Sequence, residues 1–151
     1  MSAPALERFA LLAGLDREER RALSRAIESV ELDAGALLFE EGDPAEGLVL
    51  LLEGRVRVAS RRAPEAAELG PGAALGAFSL VEAGLREARV ETLSRSRLLV
   101  LRRDAYERLA AESPGAACRL LEGILRDTAS LLRRGFGAGG ARSVDRIAPS
   151  N

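Results

Sequence analysis

The stretch Gly76–Val90, GAFSLVEAGLREARV, sets a cation directly beside an anion, Arg86 and Glu87, where a polar turn runs back into strand-like sequence. A planar guanidinium grips an anion through two parallel hydrogen bonds, so Arg86 is a candidate ligand residue for a small anion. An arginine standing alone in a loop is more often a solvated surface charge, and that bland reading stays beside the functional one. Glu87 bears on the choice. Turned inward, it repels an anion and occupies Arg86 as an internal counter-ion. Because adjacent strand residues face opposite sides, the other orientation is toward solvent.

Other chemistries are excluded or weak. None of the 151 residues is histidine. Histidine acid–base catalysis, Ser-His-Asp or Cys-His nucleophiles and His-ligated metals, including metal catalysis on a β jelly roll, therefore fall away. No enzymatic activity is expected. The single cysteine, Cys118, forms neither an internal disulfide nor a thiolate cluster. Glu40, Glu41 and Asp43 cluster before Pro44 but lack the alternate-position spacing and distal Glu of a calcium loop, so a solvated turn is expected. The pairs Arg61–Arg62, Arg102–Arg103 and Arg133–Arg134 have acidic neighbours and no interleaved aromatics. With a net charge of −1, no nucleic-acid partner is expected. All the basic residues are arginine, which reads as base-composition bias in the coding sequence. No apolar run approaches the roughly 18 residues of a membrane span, and charges interrupt the N-terminal segment, so no membrane partner and a cytoplasmic location are expected.

The elements that must position Arg86 follow from periodicity. At 47% hydrophobic and 30% charged, the chain has the composition of an ordinary globular domain. Asp16 and Glu19 fit a capping box, followed by apolar positions on one face, which predicts a helix from Asp16 to about Ser29, with a shorter helical piece around Leu6 to Leu12. From Val30 the period shortens and turn residues cut the sequence. Strands are predicted near 30–32, 36–40, 47–53, 55–60, 65–69, 73–76, 88–93 and 96–102. Asp104 and Glu107 suggest a second capping box for a helix to about Ala111, and Ser113-Pro114 starts a longer one reaching Arg134. The fold class is mainly β with flanking helices: a β jelly roll with N-terminal helices and two C-terminal helices. Residues 1–134 form the expected domain, and 135–151 read as a Gly-rich linker and mobile tail.

With these elements in place, LDAGALLFEEGDPAEGLVLLLEGRVRV resembles the first half of cyclic nucleotide-binding domains, as in catabolite activators, protein kinase A regulatory subunits and gated channels. Gly35, Gly42 and Gly54 stand where that family turns between strands. Gly76–Val90 then falls on the family's phosphate-binding cassette without a gap, with Leu80 at the family leucine and Arg86 at the phosphate arginine. The resemblance spans about residues 6 to 134 and implies a ligand site at Gly76, Ala77, Phe78, Ser79, Arg86 and Glu87. No cofactor is required, and the implied ligand is cAMP, cGMP or a related anion. Two departures fall on the chemistry. The ribose-binding Glu is Ala77, a loss of about 1.5–3 kcal/mol, or ten- to a hundredfold in affinity. The small residue after the arginine is Glu87, and Leu85 replaces a proline. Phe78 reads as packing, Ser79 as a small residue kept for space, and Glu82 as solvated, although it is placed to substitute for the lost carboxylate.

The long helix carries more apolar residues than one face requires. Cys118, Leu121, Leu125, Thr128 and Leu132 follow 3,4-spacing beside a stripe of Leu120, Ile124 and Leu131. Gly123, which costs about 1 kcal/mol in a helix interior, permits close approach of another backbone and points toward a homodimer through 114–134. Cys118 is expected to be a small buried side chain. No helix-turn-helix, kinase-inhibiting segment or pore is read in these residues, so the output is expected through a protein partner or self-association. The expected function is a regulatory module that binds cyclic nucleotide. The alternative keeps the fold, drops the ligand, and uses the jelly roll and long helix as assembly surfaces.

Overall fold

A computed structural model describes residues 3–135. In chain order its helices are α1 (Ala3–Leu6), α2 (Arg17–Ala26), α3 (Arg103–Glu112) and α4 (Pro114–Gly135). Its strands are β1 (Glu28–Leu32), β2 (Leu37–Phe39), β3 (Pro44–Ala45), β4 (Gly47–Glu53), β5 (Val56–Ala59), β6 (Ala67–Leu69), β7 (Ala74–Leu75), β8 (Gly84–Leu85), β9 (Arg89–Thr92) and β10 (Ser96–Arg102). Short 3-10 turns occupy Ala10–Leu12 and Ala77–Leu80. Residues 136–151, nearly all of the expected linker and tail, lie outside the described residues.

Two antiparallel sheets, ordered β1-β10-β4-β7 and β2-β9-β5-β6, face each other as a jelly roll, and β3 pairs with β8 in a small ribbon. β4 is apolar nearly throughout because both of its faces are covered. Val49 and Leu51 point between the sheets, where they pack with Val56, Val90 and Leu98. Leu48, Leu50 and Leu52 point the other way, into a second core with Leu99, Leu101 and the helices. Strand alternation thus splits one apolar run between two cores. Each fully buried leucine contributes about 1.5–3 kcal/mol relative to exposure.

The α2 capping box is present: Asp16 Oδ1 accepts from the Glu19 N–H at 2.8 Å, and Glu19 Oε1 accepts from the Asp16 N–H at 2.9 Å. The helix is shorter than predicted and ends at Ala26, because Glu28 and Ser29 pair with Val100 and Leu99 of β10. The early helical piece is divided between α1 and the 10–12 turn. No capping box forms at Asp104. α3 begins at Arg103 after an N-cap at Arg102 without a side-chain bond, and Asp104 Oδ1 accepts from the next N–H, Ala105. The acidic cluster is a turn held by Asp43 Oδ2 accepting from the Glu40 N–H, with Glu40 and Glu41 paired to Arg89 and Arg61 at 2.8 and 3.0 Å. Among the described residues no group of side chains is arranged to hold a metal ion, and no helix is long and apolar enough to cross a membrane.

α4 packs with Ala116, Ala117, Leu120, Gly123 and Ile124 inward. A Cβ on Gly123 would strike the Leu11 carbonyl, so the close approach read from this glycine is to the chain's own 10–12 turn and not to a second copy. Cys118 is exposed, contrary to expectation, because the buried face of α4 runs through Ala116, Ala117 and Leu120 instead. Gly123→Ala should lower the free energy of unfolding by about 1–3 kcal/mol, read by urea denaturation. An unchanged midpoint would mean that the turn and helix can separate freely.

Candidate functional site

Arg86 is positioned by its backbone before its side chain does anything. Its N–H donates to Asp43 O at 2.7 Å, and its carbonyl accepts from the Gly42 N–H at 2.8 Å. Immediately before it, Leu85 and Gly84 pair with Pro44 and Ala45. The β3–β8 ribbon therefore fixes where the arginine emerges. Sequence reasoning missed both strands, since Asp43-Pro44 and Ala83-Gly84 carry turn chemistry and each strand is only two residues long.

The guanidinium is half-buried. Nη1 donates to Gly47 O at 3.1 Å, and Cζ lies 4.2 Å from the centroid of the Phe39 ring, a cation–π contact. Burial pulls the Arg86 pKa below its ordinary value; Glu46 and Asp43 oppose that effect and Arg103 adds to it. An arginine remains charged through such a shift. Among the described residues Arg86 has no carboxylate within ion-pair distance. Its neighbour Glu87 is exposed and makes no ion pair with it among the described residues, so the internal counter-ion does not form.

Gly76 faces Arg86 across the site. Its φ of 71° is left-handed, and a Cβ there would collide with Arg86 Nη1, so both conformation and space demand glycine. The 77–80 turn follows, with Ser79 Oγ donating to Gly76 O at 2.6 Å. The hydroxyl proton of Ser79 is thereby spent on the chain itself. Of the first N–H groups of the turn, that of Ser79 donates to Gly76 O at 3.1 Å, and those of Ala77 and Phe78 have no acceptor within it. Ala77 is partly buried and offers nothing that accepts a hydrogen bond. Phe78, expected to pack inside, is 60% exposed because Leu80 fills the core position of this turn instead.

Arg86 lines a cavity of about 490 Å³, walled by the 76–79 segment, the 82–88 loop, Phe39, Val58 and Val90. The far wall is α4, which contributes Asp127, Thr128 and Leu131. Sequence reasoning placed Thr128 and Leu131 in apolar stripes and gave Asp127 no role; in the fold α4, packed on the 10–12 turn, α2 and α3, brings all three to the cavity. Thr128 lines the cavity while its Oγ1 donates to Ile124 O at 2.8 Å, so its hydroxyl proton is committed to its own helix. Glu82, Glu87 and Asp127 all reach the lining, against the single cation Arg86. Such an arrangement can hold one anionic group at Arg86 while offering acceptors around the rim.

Comparison with known proteins agrees with this geometry. The family model for the cyclic nucleotide-binding domain matches residues 29–113. A CRP-like cAMP-activated global transcriptional regulator of Mycobacterium tuberculosis is 29% identical over 134 residues, 85% of this chain and 58% of the relative. A cyclic nucleotide-gated potassium channel of Mesorhizobium japonicum is 35% identical over 114 residues, 76% of this chain and 30% of the channel. The chain thus spans only part of the length of these relatives. Among solved structures, the N-terminal domain of a transcriptional regulator from Streptomyces coelicolor A3(2) superposes with a TM-score of 0.73 at 30% identity, covering 84% of this chain and 94% of that one. The fold, the left-handed glycines and the matched residues converge on one conclusion: the chain belongs to the cyclic nucleotide-binding domain family.

Proposed function

We propose that this domain is a non-enzymatic regulatory module that binds cAMP, cGMP or a related anion through Arg86 and the 76–79 backbone, and passes the bound state to a protein partner or a second copy. The observation that carries this reading is the half-buried Arg86 guanidinium, which lines the cavity and has no carboxylate within ion-pair distance among the described residues. Burying a cation without a counter-ion is costly. An exogenous anion would complete the site. Similarity to a cAMP-activated regulator and a nucleotide-gated channel supports the ligand class.

A second reading has its own support. Ala77 removes the ribose acceptor, and the rim carries three carboxylates. On this reading the domain has lost its nucleotide and serves as an assembly surface. Exposed side chains on α4 give that surface substance: Leu125, Leu131 and Leu132 are 67%, 55% and 53% exposed, and Cys118 is exposed on the same line as Leu125 and Leu132. Under either reading this exposed line on the 114–134 helix is the surface offered for a homodimer.

Calorimetry with cAMP and cGMP separates the readings. The first expects measurable binding that weakens about a hundredfold in Arg86→Ala, the loss of a bidentate charged contact of about 3 kcal/mol. No heat at high micromolar ligand leaves only the second. Restoring the acceptor with Ala77→Glu should tighten binding ten- to a hundredfold; unchanged affinity would mean that residue 77 does not face the ribose. Light scattering should report a dimer that Leu125→Glu together with Leu132→Glu converts to monomer, and a monomeric wild-type protein would remove α4 as the self-association surface.

A further inference from the structure

Arg103 opens α3 yet its side chain serves the cavity. Nε donates to Ser79 O at 2.7 Å, and Nη2 donates to Ala45 O. Its backbone N–H donates to Glu46 O at 2.7 Å. One residue therefore holds three carbonyls from two segments flanking the cavity, the 77–80 turn and the β3–β4 connection. Among the described residues no carboxylate lies within ion-pair distance of Arg103, unlike its neighbour Arg102, which pairs loosely with Glu28 and Glu46 at 3.9 and 3.7 Å. In the sequence Arg103 stands out only as half of a basic pair.

These bonds belong to a closed circuit. Arg103 holds Ser79, Ser79 Oγ holds Gly76 O at 2.6 Å, and Gly76 abuts Arg86 Nη1. Arg86 Nη1 holds Gly47 O at 3.1 Å. Gly47 lies so close to Leu101 and Arg102 that a Cβ would collide with their backbone, which returns the path to Arg103. A guanidinium's planar fork fixes direction as well as distance, a property that a single ammonium lacks.

We propose that Arg103 is a positioning residue of the anion site: it holds the Gly76–Leu80 wall against Arg86, so that an anion bound at Arg86 meets the wall at the right distance. This rests on the nucleotide-binding reading for its consequence in affinity, but not for the holding itself. Arg103→Met and Arg103→Lys in the full chain test both parts. Amide hydrogen exchange without ligand should accelerate about tenfold in peptides covering 76–82 in Arg103→Met, with β4 and α2 unchanged and Arg103→Lys intermediate. Binding of cAMP or cGMP should weaken about tenfold in Arg103→Met, be partly restored in Arg103→Lys, and show no further loss when Arg103→Met is added to Arg86→Ala. Unchanged exchange at 76–82, equal acceleration everywhere, or full affinity in Arg103→Met would overturn the assignment. Should Arg103→Met fail to fold, Arg103→Lys carries the same local-against-global comparison. If the wild-type protein takes up no nucleotide, the functional reading fails, and the exchange pattern alone decides the role of Arg103.

Discussion

The structure around the cavity is organised by one constraint: a guanidinium is half-buried with no carboxylate at ion-pair distance among the described residues, Glu46 and Asp43 acting on it only from farther off. A charge in that position needs compensation, and here it comes from the Gly47 carbonyl and the face of the Phe39 ring. Both compensating groups require fixed backbone. Gly47 starts β4, the strand buried on both faces, and Phe39 ends β2, which pairs with β9. The two apolar cores thus do more than stabilise the domain. They hold a carbonyl and an aromatic ring at the places where a stranded cation can be tolerated.

Glycine sets the tolerance of this arrangement. Gly76 leaves room for the guanidinium of Arg86, and Gly47, whose carbonyl that guanidinium holds, leaves room for the backbone of β10. Around the same gap, hydrogen bonds run from side chains to backbone carbonyls and seldom between side chains. Backbone carbonyls do not titrate, so the geometry of the wall is insulated from pH, while the rim acids Glu82, Glu87 and Asp127 are exposed.

Much of this was legible in the sequence, for physical reasons. The capping box of α2 and the period change after Val30 each reflect a local rule that tertiary structure did not override. The cassette register placed Arg86 at the cavity. What failed did so where distant contacts decide. The pairing of Pro44–Ala45 with Gly84–Leu85 is invisible to periodicity at two residues per strand. Phe78 and Cys118 were read as inward because apolar or small side chains usually are, but the neighbours Leu80 and Ala117 took those positions. Gly123 signalled close approach correctly, and only the fold could name Leu11 as the approaching backbone. Arg103 carried no local signal at all, since its partners lie 24 and 58 residues away.

That Gly123 contact divides α4 mechanically. Up to Ile124 the helix is clamped between the 10–12 turn and the core; beyond it, the remaining turns to Gly135 touch the cavity on one side through Thr128 and Leu131 and present Leu125 and Leu132 on the outside. The distal half therefore stands on a base pinned at a glycine, and a ligand in the cavity and a protein on the outer leucines would meet the same few turns of α4 from opposite sides.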